Sequence, residues 1–195
     1  MSPIIIWISG AILYACFWFW YVGLSRKIEP QEIESTLQQM RTQADASNQQ
    51  LQALRRFFEE DNGKDFVMVN LLELKDPKRE SGKKLEAYQK VFLSNLLKRA
   101  GHPVFIARVA TGKIENIGCD DDNWTAAGMV RYRSRRDLME VIPETFGSEH
   151  HGLKLEALER TFAYPSTPWT LVGGPRIVVP LALALIASLL HLMVI

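Results

Sequence analysis

Two stretches at the ends of this chain carry no charge: residues 1–24 and residues 177–195. All 45 Asp, Glu, Lys and Arg lie in the 152 residues between them. Ile4 to Leu24 is an apolar run of 21 residues, and a helix rising about 1.5 Å per residue needs roughly 20 to cross a hydrocarbon core. Ile177 to Ile195 has 19, with Pro180 expected in its first turn and His191 near its far end. Backbone in lipid must satisfy its own hydrogen bonds, so both runs are expected to be helices contacting membrane lipid. A cleaved signal peptide would need a basic start, a shorter apolar run and small residues at its end. Here only Met1, Ser2 and Pro3 precede the run, which closes on bulky aromatics.

Arg26 and Lys27 follow the first run and Arg176 precedes the second, while neither outer end carries Lys or Arg. The positive-inside rule then sets the middle of the chain in the cytoplasm and both termini on the opposite side, a two-span membrane protein. Phe17 to Tyr21, and Trp169, would belong to interfacial aromatic belts. Two spans are too few for a polytopic transporter. A net charge of +1 argues against a nucleic-acid partner. Two cysteines exclude a disulfide framework.

Ile33, Leu37, Met40, Ala44, Ser47, Leu51, Leu54 and Phe58 repeat at alternating spacings of 4 and 3, the seam of a heptad. Two readings are open: a stalk pairing between subunits, or an amphipathic helix lying on its own domain. The weak centre of the stripe predicts a break near Asp45–Asn48. Phe66 to Leu74 then reads as a strand, Lys75 to Gly82 as a polar loop and Lys83 to Ala100 as a helix stopped by Gly101. His102-Pro103 starts the next strand, Val104 to Ala110, with room to run on towards Ile114, and Gly118 to Asn123 is an acidic turn. Trp124 to Arg133 is the third strand. Ser134 and Asp137 form a capping box for a helix through Ile142, broken by Pro143 and Gly147. A helix over Glu149 to Arg160 and a short strand over Thr161 to Tyr164 close the domain. The expected organisation is a span at 4–24, an amphipathic helical segment at 25–63, an α/β domain at 64–165, a linker at 166–176 and a span at 177–195.

This order, βαββαβ, predicts an α+β domain: a four-stranded antiparallel sheet with both helices on one face. The first strand is apolar on both sides, Val67, Val69 and Leu71 on one and Met68, Asn70, Leu72 and Leu74 on the other. Two helices cover one face, so a homodimer burying the second is expected.

Val67-Met-Val-Asn-Leu-Leu72, the Trp124 strand ending Arg131-Tyr-Arg-Ser-Arg-Arg136, and the His-rich helix before Thr161-Phe-Ala-Tyr-Pro165 resemble the dimeric α/β-barrel superfamily. The likeness is to a branch of small domains of unknown function that open with a V-x-M-x-N-L-L strand, and it spans about residues 48–165. It implies a ferredoxin-like subunit pairing sheet to sheet. The superfamily includes cofactor-free monooxygenases, lactone isomerases and haem-dependent enzymes, and chemistry does not travel with the fold.

The candidate site residues are few. Asn70, expected on the face away from the helices, either orients a polar ligand in a barrel cavity or bonds neighbouring backbone or water. His150 and His151 diverge by about 100° on a helix, so they cannot share a metal. One of them would serve as a general base or haem ligand, and the other would be solvated. Trp124 and Arg131 are the further ligand-binding candidates. Ala126, Ala127 and Gly128 leave room for a ligand or permit close packing. Arg131, Arg133, Arg135 and Arg136 form either a contact for anionic headgroups or a salt-bridged face. Asp120 to Asn123 lacks the spacing of a calcium loop, Cys119 sits beside three carboxylates, and no metal site is expected. The leading expectation is a membrane-tethered binding or interaction domain without a cofactor. The alternative is a monooxygenase- or isomerase-like enzyme, or a haem barrel, with Asn70, Trp124 and one of the two histidines converging on a pocket.

Overall fold

The structure, a computed structural model, describes residues 2–24, 26–43, 46–118, 123–145, 149–168 and 173–194, with Glu149 and His150 as backbone alone. The expectations placed on Ala44, Asp45, Cys119 to Asp122, Gly147 and Trp169 lie outside the described residues. The chain divides into two compact units, Met1–Leu24 with Pro168–Ile195, and Ser25–Thr167.

In the first unit, α1 (Pro3–Val22) and α7 (Pro175–Leu192) are both long and apolar enough to cross a membrane. They run antiparallel. Trp7 lies at His191, donating from Nε1 to Nδ1 across 3.4 Å, and the Arg176 guanidinium sits 5.9 Å from the Tyr21 ring centre. Between these ends Gly10 meets Ala187: a Cβ built on the glycine would lie 4.0 Å from that of the alanine. Small residues allow such close approach where no hydrophobic effect drives helices together. Helix α7 begins two residues before the apolar run, with Pro175 in its first turn. Pro180 therefore falls in the second turn rather than the first, where it removes the hydrogen bond to the Arg176 carbonyl.

In the second unit the heptad stripe breaks into α2 (Pro30–Gln43) and α3 (Asn48–Glu59). Ser47, placed on the stripe by its spacing, is the N-cap of α3. Its Oγ accepts from Gln50 N at 3.2 Å while Gln50 Oε1 accepts from Ser47 N at 2.9 Å, a complete capping box. Ile33, Leu37, Met40, Leu51 and Phe58 are buried together with Phe66, Leu96, Tyr132, Leu138, Met139 and Ile142. The stripe is thus part of the unit's own core, and residues 25–63 do not stand apart from the α/β segment.

The remaining elements are β1 (Phe66–Leu74), α4 (Lys78–Lys98), β2 (His102–Arg108), β3 (Ala126–Tyr132), α5 (Arg135–Thr145), α6 (Glu149–Ala157) and β4 (Leu158–Ser166). The sheet is antiparallel throughout, in the order β2-β3-β1-β4. Pro103 and Pro165 both sit on edge strands, where a missing N–H costs no ladder bond.

Several boundaries moved for identifiable reasons. Helix α4 starts at Lys78, so most of the expected polar loop is its first turns, with Pro77 as N-cap. It ends in a Schellman arrangement, Gly101 N donating to Leu96 O and Ala100 N to Leu97 O, both at 3.0 Å. The left-handed residue is Ala100, at φ 55°. Gly101 is required by space instead: a Cβ there would lie 2.4 Å from Leu96 Cδ1 and 3.0 Å from Arg131 O. Strand β2 stops at Arg108, and Ile114 lies beyond it, exposed. Trp124 precedes β3 rather than opening it. Helix α5 begins as expected, Ser134 Oγ accepting from Asp137 N at 3.1 Å. It then continues through Pro143 to Thr145, because buried Val141 and Ile142 hold its last turns. Helix α6 ends at Ala157, and residues 158–160 join β4, since the long β1 offers partners to them: Leu74 opposite Leu158 and Glu73 opposite Arg160.

Phe66 and Met68 pack into the core with α2, α3 and α5, and Leu72 and Leu74 pack into a second cluster with Leu85 and Tyr88 of α4 and Ala157. The even-numbered side of β1 is therefore the helix side. Asn70, between Met68 and Leu72 in unbroken register, faces the helices and not the open face as expected. Alternation decides this once one neighbour is placed.

Candidate functional site

The other side of the sheet is only partly covered: Val67 and Arg131 at one end of it are buried, while Phe105, Met129, Phe162 and Tyr164 are exposed. Register aligns two rows across all four strands: Phe105, Met129, Val69 and Tyr164, then Ala107, Ala127, Leu71 and Phe162. Neither row contains a charge. Phe105, Phe162 and Tyr164 are each about half exposed. Aromatic rings lie on β4 and at one end of β2, and the two small side chains are Ala107 on β2 and Ala127 on β3. Trp124 ends this face, its ring 5.3 Å from Phe162 with the Arg160 guanidinium 5.7 Å away. Arg160 is itself held by Glu73, Nε donating at 2.8 Å.

On the helix side, the middle row is Ile106, Gly128, Asn70 and Ala163. The Asn70 amide donates to Met68 O at 3.1 Å and Gly128 O at 3.3 Å, so its nitrogen bonds neighbouring backbone. A Cβ at Gly128 would meet nothing within 4 Å, and Ile106 and Ala163 at the row's two ends are exposed. Above this row, Phe92 packs against both core clusters and stacks on Tyr88, ring centres 5.9 Å apart. The Lys154 ammonium lies 5.7 Å from the Tyr88 ring centre. Burial pushes the Tyr88 phenol up to about 12 and the Tyr132 phenol upward as well. Burial also lowers the Lys154 ammonium. His151, one turn earlier on α6, is lowered first by burial and then by the Lys154 charge.

The candidates named from sequence do not all meet. Asn70 and Trp124 lie on opposite faces of the sheet, so a single pocket in one subunit does not collect both. Arg131 is 1% exposed. Its Nε donates to Asp65 Oδ2 at 3.0 Å and its Nη1 to Ala100 O at 2.9 Å, a structural tie rather than a ligand contact. His151 is half-buried on α6, and the side chain of His150 lies outside the described residues. The rest of the arginine cluster is engaged internally. Arg133 binds Asp137, Arg135 lies over Phe57 and bonds its carbonyl, and Arg136 binds Glu32 and the carbonyls of Arg26 and Lys27. Among the described residues no group of three or more His, Cys, Asp or Glu could hold a metal ion. Tyr88 and Lys154 escaped the sequence reading because a lysine and an amphipathic tyrosine on helices look solvated and core-forming respectively. Only their packing brings them together.

No family model matches the chain, and no curated protein matches it. Two crystal structures of the RPA0582 protein of unknown function from Rhodopseudomonas palustris, one of the methylated protein, share its fold. The first has a TM-score of 0.53 at 17% identity, covering 66% of this chain and 98% of that one. The second has a TM-score of 0.53 at 18% identity, covering 67% and 97%.

Proposed function

We propose that this chain is a membrane-anchored, ferredoxin-like domain that dimerises sheet to sheet into an α/β barrel and serves in binding rather than in demonstrated catalysis. The observation that carries the reading is the uncovered two-row apolar face. Monomeric proteins rarely leave so continuous an apolar surface to water, and two sheets pack face to face about 10 Å apart through such rows. A second copy is the occupant favoured by shape. Under a two-fold axis, which pairs one patch with itself, the Phe162 and Tyr164 edge of one subunit can meet the Ala107 and Ala127 region of the other. The strand order 2-3-1-4, with α4 and α5 in the two crossovers, supports the ferredoxin-like description.

The antiparallel helix pair supports a hairpin anchor with both chain termini on one side. Arg26, Lys27 and Arg176 at its inner ends favour a cytoplasmic domain. Native mass spectrometry of the intact protein from mild detergent tests the assembly. Wild type is expected as a dimer, and Phe162→Glu combined with Tyr164→Glu as a folded monomer. A wild-type monomer at tens of micromolar overturns the reading. A reporter fused to either terminus that remains in the cytoplasm overturns the topology.

A further inference from the structure

Between Arg108 and Ala126 the chain runs for 17 residues outside the sheet. Most connections in compact domains have about 4–6, and long ones are commonly binding loops. The root of this arm is fixed. Val109 N donates to Thr125 O at 2.9 Å, Thr125 N to Leu72 O at 2.8 Å, and Leu74 N to Thr125 Oγ1 at 3.1 Å. Trp124, at the same root, turns its ring to Phe162 on the uncovered face. Beyond the root, the described residues 109–118 carry apolar side chains into solvent: Val109 is 43% exposed, Ile117 79% and Ile114 97%.

The uncovered face needs the area that such an arm supplies. With strands about 4.8 Å apart rising about 3.4 Å per residue, a four-stranded face seven residues long has a footprint of roughly 450 Å². Val67 and Arg131 are already buried at one end of it. A stable interface buries about 800 Å² per partner, so the face falls short by itself. Val109 to Ile114 is five residues, extending up to about 17 Å, farther than the roughly 10 Å between packed sheets. Where β4 of a second copy lies over β2, the arm rises beside the partner's Phe162. Asp120, Asp121 and Asp122 follow in the sequence and oppose docking on an anionic lipid surface, which favours a second copy as the occupant.

We propose that the arm between β2 and β3 reaches across to a second copy of this chain. Ile114 and Ile117 of each copy pack against the partner's Phe162 and the partner's Trp124. Each uncovered face is thus closed in part by residues of the other chain. The inference rests on the sheet-to-sheet dimer proposed above and names the segment that completes it.

The test uses the full chain in a nonionic maltoside micelle. Native mass spectrometry over a concentration series gives the dimer Kd of wild type and of Ile114→Ser combined with Ile117→Ser. These changes touch only exposed side chains, and circular dichroism checks that the fold is kept. The Kd is expected to rise at least about tenfold. In a second measurement, p-benzoylphenylalanine in place of Ile114 is irradiated. It is expected to give a covalent dimer on a denaturing gel, joined to the tryptic peptide that begins at Thr161. A wild-type dimer whose Kd the double substitution leaves unchanged, or crosslinks confined to one chain or to detergent, overturns the arm contact and leaves the dimer standing. A wild-type monomer at tens of micromolar overturns both.

Discussion

Replacing Arg131 by Met separates a structural role from a binding one. The guanidinium is almost fully enclosed and ties three segments together: β3, the Asp65 turn before β1, and the Ala100 carbonyl at the end of α4. A methionine of similar length fills much of the volume but takes the guanidinium away from Asp65 and from the Ala100 carbonyl. Removing one partner of a buried pair costs about 3–5 kcal/mol. Asp65 retains 16% exposure, so water compensates part of the loss and the lower end, about 3 kcal/mol, applies. For a unit of this size about 1 kcal/mol moves the melting temperature by roughly 2–4 °C, so Arg131→Met is expected to melt about 6–12 °C lower. The assay is thermal unfolding of the full chain in detergent followed by far-ultraviolet circular dichroism, with urea unfolding as a second measure. Adding Asp65→Asn to Arg131→Met should recover part of the loss, because the charge that faced the guanidinium is gone as well. A drop of under about 1 kcal/mol, with no recovery in the double variant, would refute the argument that this pair is buried and interdependent.

Three further outcomes follow from the packing. Gly101→Ala places a methyl against fully buried Leu96 and should destabilise by about 1–3 kcal/mol, read from the urea midpoint. Ser47→Ala removes the α3 cap and should cost about 1 kcal/mol, with Ser47→Asp close to neutral in the same assay. The hydrogen bonds of Arg136, then that of the Glu29 backbone, hold Glu32 at about 2 against an ordinary value of 4.5. Because the folded value is the lower one, this contribution is fully present above about pH 4.5 and is lost as pH falls towards 2. The pair is near the surface, so the effect is taken as about 1 kcal/mol. Arg136→Gln should flatten the stability profile over that window, and an unchanged acid slope would count against it.

Some of this molecule was written in local pattern. The two uncharged runs predict their helices because nothing else can satisfy backbone in lipid, and α1 and α7 match them within two or three residues. The order of strands and helices was legible from alternation, from Gly101, and from the Ser134–Asp137 cap. The break in the heptad stripe was visible in its weak centre. What pattern could not supply was which surface each stripe meets. A heptad seam has the same spacing whether it pairs with another chain or folds onto its own sheet. Only the contacts of Ile33, Leu37 and Phe58 with Leu138 and Ile142 distinguish the two. Likewise β1 is apolar on both sides, so its sequence cannot say which side the helices cover, and Asn70 was assigned to the wrong one. Alternation transmits a choice of face along a strand but does not make it. That choice, the burial of Arg131, and the meeting of Lys154 with Tyr88 depend on contacts between residues far apart in the chain, and these exist only once the tertiary structure has formed.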